Sequence, residues 1–157
     1  MDTLTRVMLA IVLSLCCEMA AGELVSIPNR GTTTYVTYYT GLALANLDMS
    51  DTGDALLIEL FGITRNMDEQ KLFNDMSVHC LCYRVDGSGR IGGSGACTMT
   101  DKDGDQVYTT FDVTAQVHTL IGGSGKYKGI SGAAPYTTPG PRLNWGSSVA
   151  KLTWQFR

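Results

Sequence analysis

The sequence predicts an all-β protein: a single-domain, antiparallel, eight-stranded closed barrel behind an N-terminal signal peptide. Three observations predict it. Segments rich in Thr, Tyr, Val, Ile and Phe recur along the chain between breaks rich in Gly and Asp, which is the signature of strands and turns. Within several segments apolar and polar residues alternate, giving one buried and one wet face. A length of 157 residues suits one domain.

The leader comes first. Arg6 precedes the apolar run Val7 to Leu15, "VMLAIVLSL", and "AAG" at Ala20 to Gly22 supplies the small residues a signal peptidase inspects. That layout is secretory, and the run is too short to cross a bilayer as a helix. A buried N-terminal helix or strand is the competing reading. A lipoprotein signal acylated at Cys16 or Cys17 is a third, disfavoured by the bulk of Leu15. The leader is assigned to residues 1–22, the barrel domain to 23–157, and the mature chain to a secreted or periplasmic location. No second apolar stretch is long enough for a membrane helix.

The net charge of −3 leaves no large basic field, which argues against nucleic acid or an anionic membrane as a partner.

The strand candidates follow in order. "TTTYVTYYTGLAL" starts at Thr32, "DALLIELFGIT" at Asp54, "MSVHCLCYRV" at Met76 and "GACTMT" at Gly95. "QVYTTFDV" starts at Gln106, "QVHTLI" at Gln116, "KYKGISGAAPYTT" at Lys126 and "SVAKLTWQF" at Ser148. In the last, Ala150, Leu152, Trp154 and Phe156 share a face opposite Lys151, Thr153, Gln155 and Arg157. In the fifth, Val107, Thr109, Phe111 and Val113 oppose Tyr108, Thr110 and Asp112. Only "NMDEQKLFNDM", Asn66 to Met76, has helical character, so one short helix is expected around Met67 to Phe73. Pro135, Pro139 and Pro141 mark a poor central strand and a rim crossing before the last strand.

"GGSGKYKGISG", Gly122 to Gly132, raises the question of a phosphate loop. Such a loop must open a helix, and the Gly and Pro that follow forbid one. The Walker pattern needs Ser or Thr after Gly125-Lys126, where Tyr127 stands, and Lys128 occupies the third glycine of a dinucleotide motif. Gly122, Gly123, Gly125, Gly129 and Gly132 are therefore read as structural turns and bulges, with positive φ at Gly123 and Gly125. "IGGSG" also occurs at Ile91 to Gly95, a further sign that these glycines serve architecture.

This stretch, a Gly-Gly-Ser-Gly turn followed by an aromatic residue and a strand with Gly-x-x-Gly, resembles the penultimate region of the allene oxide cyclase and dirigent barrel superfamily. "SVHC" at Ser77 and "TDKDGD" at Thr100 are similar to segments of small exported bacterial barrel proteins of unassigned function. The resemblance implies an eight-stranded barrel with an apolar interior, often oligomeric. It further implies handling of hydrophobic or phenolic small molecules without a cofactor, as an isomerase or cyclase where catalysis occurs. The polar residues that guide those reactions lie outside the matching stretch, and none is carried over.

Three cysteines follow the leader: Cys80, Cys82 and Cys97. In an oxidising compartment a disulfide is the default. Zinc would need a fourth ligand, and Cys-x-Cys is shorter than the usual spacing. If "MSVHCLCYRV" and "GACTMT" form a hairpin around "DGSGR", Cys80 facing Cys97 centres the turn between Ser88 and Gly89. Cys82 facing Cys97 moves that centre to between Gly89 and Arg90. The first pairing is preferred, and the second stays open because Cys80 and Cys82 share a face.

Candidate chemistry is sparse. Asp101, Asp103, Asp105 and Asp112 evoke a calcium loop, but position six is Gln106 and no helices flank it; a hairpin with Asp-Gly at its tip accounts for them. No metal is assigned. His79 and His118 have no motif spacing to each other or to a carboxylate. Glu59 interrupts "ALLIELFGI", with apolar neighbours on both faces: it either points into a cavity, where burial would suit it to acid–base work, or sits at an exposed edge. It is the catalytic candidate, and Tyr35, Tyr38, Glu59 and Tyr108 are the binding candidates. Tyr39 belongs to the same tyrosine ladder, whose alternative use is cross-strand packing.

Two functions remain. One is an exported barrel that binds a hydrophobic or aromatic small molecule inside. The other is a structural or interaction module of the cell envelope with a side-chain-filled barrel. A lined cavity of at least ~300 Å³ favours the first.

Overall fold

The computed structural model describes residues 27–68, 72–87, 89–139 and 145–157, and in it eight strands close into a barrel in simple chain order. The strands are β1 (Arg30–Asp48), β2 (Gly53–Asn66), β3 (Ser77–Gly87), β4 (Arg90–Thr100), β5 (Gln106–Asp112), β6 (Val117–Gly123), β7 (Ile130–Thr137) and β8 (Trp145–Phe156). Each is antiparallel to the next, and β8 returns to pair with β1 from Arg30 opposite Gln155 to Thr40 opposite Trp145. Closure leaves no edge strand to aggregate. The signal-peptide assignment, 1–22, lies outside the described residues.

Alternation is realised where the sequence showed it. Ala150, Leu152 and Trp154 are buried, while Lys151, Thr153 and Gln155 are exposed. The β3–β4 hairpin pairs Gly87 with Arg90 and Cys80 with Cys97, and a disulfide joins that cysteine pair. Pro135 differs from its expected place outside a central strand. It lies within β7 opposite Val117, and the β7–β8 ladder runs to Ala133 opposite Thr153 and resumes at Tyr136 opposite Ala150. A residue without an N–H is carried by leaving its ladder position unbonded.

One end of the barrel is packed solid. The chain between β2 and β3 brings in Leu72, Phe73 and Met76, all buried. Phe73 stacks on Tyr127 at 5.7 Å and meets Trp154 edge-on at 5.6 Å, and Val107, Ile130 and Leu152 complete the core. Backbone groups in this plug are satisfied locally: Thr64 Oγ1 donates to the Phe73 carbonyl at 2.7 Å and accepts from the Met76 amide at 3.1 Å. The described residues of Met67 to Met76 are not helical, in contrast to the expected short helix. Phe73 and Asp75 have φ of 55° and 57°, a left-handed conformation that a right-handed helix cannot include.

The glycine-rich stretch ends β6, makes a single 3-10 turn (Gly125–Tyr127) and enters β7. Gly125 has φ +51°, and a Cβ there would lie 1.7 Å from Asp105 Oδ1. Gly123 is required for a different reason than expected: its φ is not in the left-handed region, but a Cβ would lie 2.5 Å from the Gln106 carbonyl oxygen.

Candidate functional site

Away from the plug, the barrel opens into a cavity of about 200 Å³. Every strand contributes to its wall. Tyr35, Thr37 and Tyr39 come from β1, Leu56, Ile58 and Leu60 from β2, and Val78, Cys80, Cys82 and Arg84 from β3. Opposite them stand Cys97, Met99, Thr109, Phe111, His118, Tyr136, Ser148 and Ala150. The volume falls below the roughly 300 Å³ of drug-sized sites, so the space suits a small ring rather than an extended ligand.

The wall follows from parity. Residues two apart on a strand face the same way, so Tyr35, Thr37 and Tyr39 look inward and Tyr38 looks out, 52 % exposed. Of the binding candidates, the lining includes Tyr35 and does not include Tyr38, Glu59 or Tyr108. Glu59 is placed on the outer face opposite Leu42 and Leu81, where its Oε1 is 2.7 Å from His79 Nε2. His79 in turn stacks on Phe61 at 4.8 Å. Tyr108 donates its hydroxyl to Gln106 Oε1 at 3.2 Å.

The calcium-like aspartates meet the glycine loop. Lys126 Nζ lies 2.5 Å from Asp101 Oδ2, 2.6 Å from Asp103 Oδ2 and 3.9 Å from Asp105 Oδ2. The Asp101 Oδ1 atom accepts from the amides of Asp103 and Asp105. Burial disfavours charge on Asp101 and on Lys126, but their hydrogen bonding outweighs it and holds Asp101 below the usual carboxylate range and Lys126 above the usual amine. A side-chain ammonium thus occupies the centre of the acidic hairpin. Among the described residues, no group of three or more His, Cys, Asp or Glu is arranged to hold a metal.

Inside the cavity the titratable groups are tuned by desolvation. Burial pushes the Tyr35 hydroxyl up to about 12 and the Cys82 thiol up as well, with Arg84 opposing. Burial depresses His118 to about 4, because an imidazolium there would lose its water. His118 lies between Phe111, at 5.1 Å, and Tyr136, at 5.0 Å, with Nδ1 3.5 Å from Thr109 Oγ1. Motif spacing could not find it. Its signal was the alternation of "VHTLI", which sets His118 and Leu120 on one face against Val117, Thr119 and Ile121.

No family model matches the chain, and no curated protein matches it. Solved structures do. The chain is similar to the pterocarpan synthase dirigent protein PsPTS1, with a TM-score of 0.53 and 9% identity over 83% of this chain and 99% of that one. It is also similar to the pterocarpan synthase dirigent protein GePTS1, with a TM-score of 0.51 and 9% identity over 83% of this chain and 94% of that one. At that identity the likeness is one of architecture: the chain has a dirigent-like barrel fold.

Proposed function

We propose that this protein is an exported barrel that binds a small hydrophobic or aromatic molecule in its interior. One observation supports the reading: a cavity walled by all eight strands and closed by a packed core at one end; at about 200 Å³ it falls short of the ~300 Å³ expected for a drug-sized ligand, which restricts the reading to a small ring. Pockets that bury small ligands are mostly apolar with a few placed polar groups, and this wall has that character. The likeness to dirigent proteins that carry the name pterocarpan synthase supports an aromatic ligand. Export is supported by the leader sequence and by the Cys80–Cys97 disulfide, a bond that persists in oxidising compartments.

The cofactor-free isomerase or cyclase activity implied by the resemblance is part of this proposal only as binding, since the carboxylate candidate Glu59 stands outside the wall. Titration of the protein with toluene, indole and benzyl alcohol, read by amide chemical shifts, tests it. Saturable shifts confined to the wall residues are expected, and Ile58→Trp, which fills the space from the wall, should abolish them. Shifts absent for all three probes would instead favour the interaction module with a closed interior.

A further inference from the structure

We propose that His118 presents its Nε2–H to the cavity as a hydrogen-bond donor and that the ligand answers with a carbonyl oxygen, so that the site takes a small aromatic ketone or aldehyde. This rests on the ligand-binding reading and specifies the group that is bound.

His118 lines the cavity. Its neighbour on β7 is Ala134, too small to cover the imidazole, and Phe111 and Tyr136 hold the ring at 5.1 and 5.0 Å. The two nitrogens differ in their surroundings. Nδ1 is 3.5 Å from Thr109 Oγ1. Nε2 has no hydrogen-bond partner among the described residues, yet it is not one of the side-chain atoms sealed away without a partner. It therefore keeps open surface, and the open space against this residue is the cavity.

Thr109 decides which nitrogen holds the proton. Its side chain is 2% exposed, and among the described residues the hydrogen-bonding neighbour of its hydroxyl is His118 Nδ1. A buried hydroxyl needs an acceptor for its proton. Donation to Nδ1 supplies one and leaves the proton of the neutral ring on Nε2. The opposite tautomer would aim Nδ1–H at the hydroxyl oxygen and strand the hydroxyl's own proton. Burial, which depresses His118 to about 4, keeps the ring uncharged at neutral pH, so Nε2 offers one N–H and no charge. A ketone or aldehyde oxygen matches it, because it accepts and carries no charge. A hydrocarbon leaves the N–H unmatched. A carboxylate also accepts, but its charge loses water on entering an apolar wall, and Arg84, the cation of that wall, is already engaged by Asp86.

Acetophenone and α-methylstyrene share one shape and differ in a carbonyl against a methylidene group, while benzoate adds a charge. In titrations followed by amide chemical shifts, acetophenone should bind at least about tenfold more tightly than either, equivalent to about 1.4 kcal/mol. Long-range proton–nitrogen correlation spectra of the imidazole should show the proton on Nε2 before any ligand is added. His118→Phe keeps the ring contacts and should bring acetophenone and α-methylstyrene to equal affinity. Thr109→Val removes the hydroxyl that sets the tautomer; it should narrow the preference and move the imidazole nitrogen signals toward a mixture of tautomers. α-Methylstyrene or benzoate binding as tightly as acetophenone, a proton on Nδ1 in the wild type, or a preference unchanged in His118→Phe would overturn the donor and leave the cavity reading intact. Binding by none of the three would overturn the ligand-binding reading itself.

Discussion

His118 and Glu59 show how a residue's chemistry depends on which side of the wall it occupies. Depression of His118 to about 4 by burial means that the unfolded chain, with its imidazole near 6.5, binds a proton that the folded chain refuses. Stability is therefore unaffected by this group above pH 6.5, falls as pH drops from 6.5 to 4, and levels below. The full span corresponds to roughly 3–4 kcal/mol. Urea unfolding at pH 7.5 and pH 4.5 should show the loss in the wild type and a smaller one in His118→Phe, whose ring keeps the contacts with Phe111 and Tyr136. An equal loss in both would show that His118 is not desolvated. Neither residue's side was readable from motif spacing. For β2 the reason is physical: Leu56, Ile58 and Leu60 line the cavity while Leu57 and Phe61 are about half exposed outside. A strand apolar on both faces carries no period to orient it. Tyr35 and Tyr38 differ in parity, so only one of them could face inward, and burial chooses Tyr35.

Two elements were legible in detail because turns and pairing obey counting rules. The hairpin of β3 and β4 pairs Gly87 with Arg90, the register of the preferred pairing, and that register alone sets Cys80 opposite Cys97. Non-reducing peptide mapping should recover this pair with Cys82 as the free thiol. The double variant Cys80→Ser/Cys97→Ser should lose about 3 kcal/mol, the loop-closure entropy for a separation of 17 residues. Retained stability after that change would mean the bond does not constrain the unfolded chain. The glycine loop was legible as a turn, though its partner was not, since Lys126 and the Asp101 hairpin are brought together only by the pairing of β5 with β6, which sets Val107 opposite Gly123. Gly125→Val would place a branched side chain at φ +51° and against Asp105. It should cost about 2 kcal/mol or more, and Gly123→Val should be comparably harmful through its clash with the Gln106 carbonyl. Chemical denaturation measures both, and nucleotide binding should be absent before and after. The two "IGGSG" copies have separate fates: the first lies inside β4, the second carries β6 into its turn.

At the scale of the molecule, the barrel divides along its axis into a half that holds the fold and a half that holds space. The packed half contains Phe73, Met76, Val107, Ile130, Leu152 and Trp154, each at most 2% exposed. The open half has walls whose side chains face the cavity on one side, so each atom there has fewer neighbours and weaker dispersion contacts. The same kind of truncation should therefore cost different amounts in the two halves. Trp154→Ala removes a ring that touches Phe73 and donates its Nε1–H to the Pro28 carbonyl at 3.1 Å. It should destabilise by about 3–5 kcal/mol. Ile58→Ala takes atoms from a wall that already borders empty volume, enlarges the cavity and should cost about 1–2 kcal/mol, the transfer term without much lost packing. Native-state hydrogen exchange should follow the same gradient. Amides of β8 around Leu152 and Trp154 should exchange only through global unfolding, and those of β2 around Ile58 through smaller openings. Equal costs for the two truncations, with uniform exchange along the barrel, would mean that the cavity is not a weak half. Ligand binding should then shift the gradient: a bound ring restores contacts to the open half alone, so protection should rise near Ile58 and stay unchanged near Trp154.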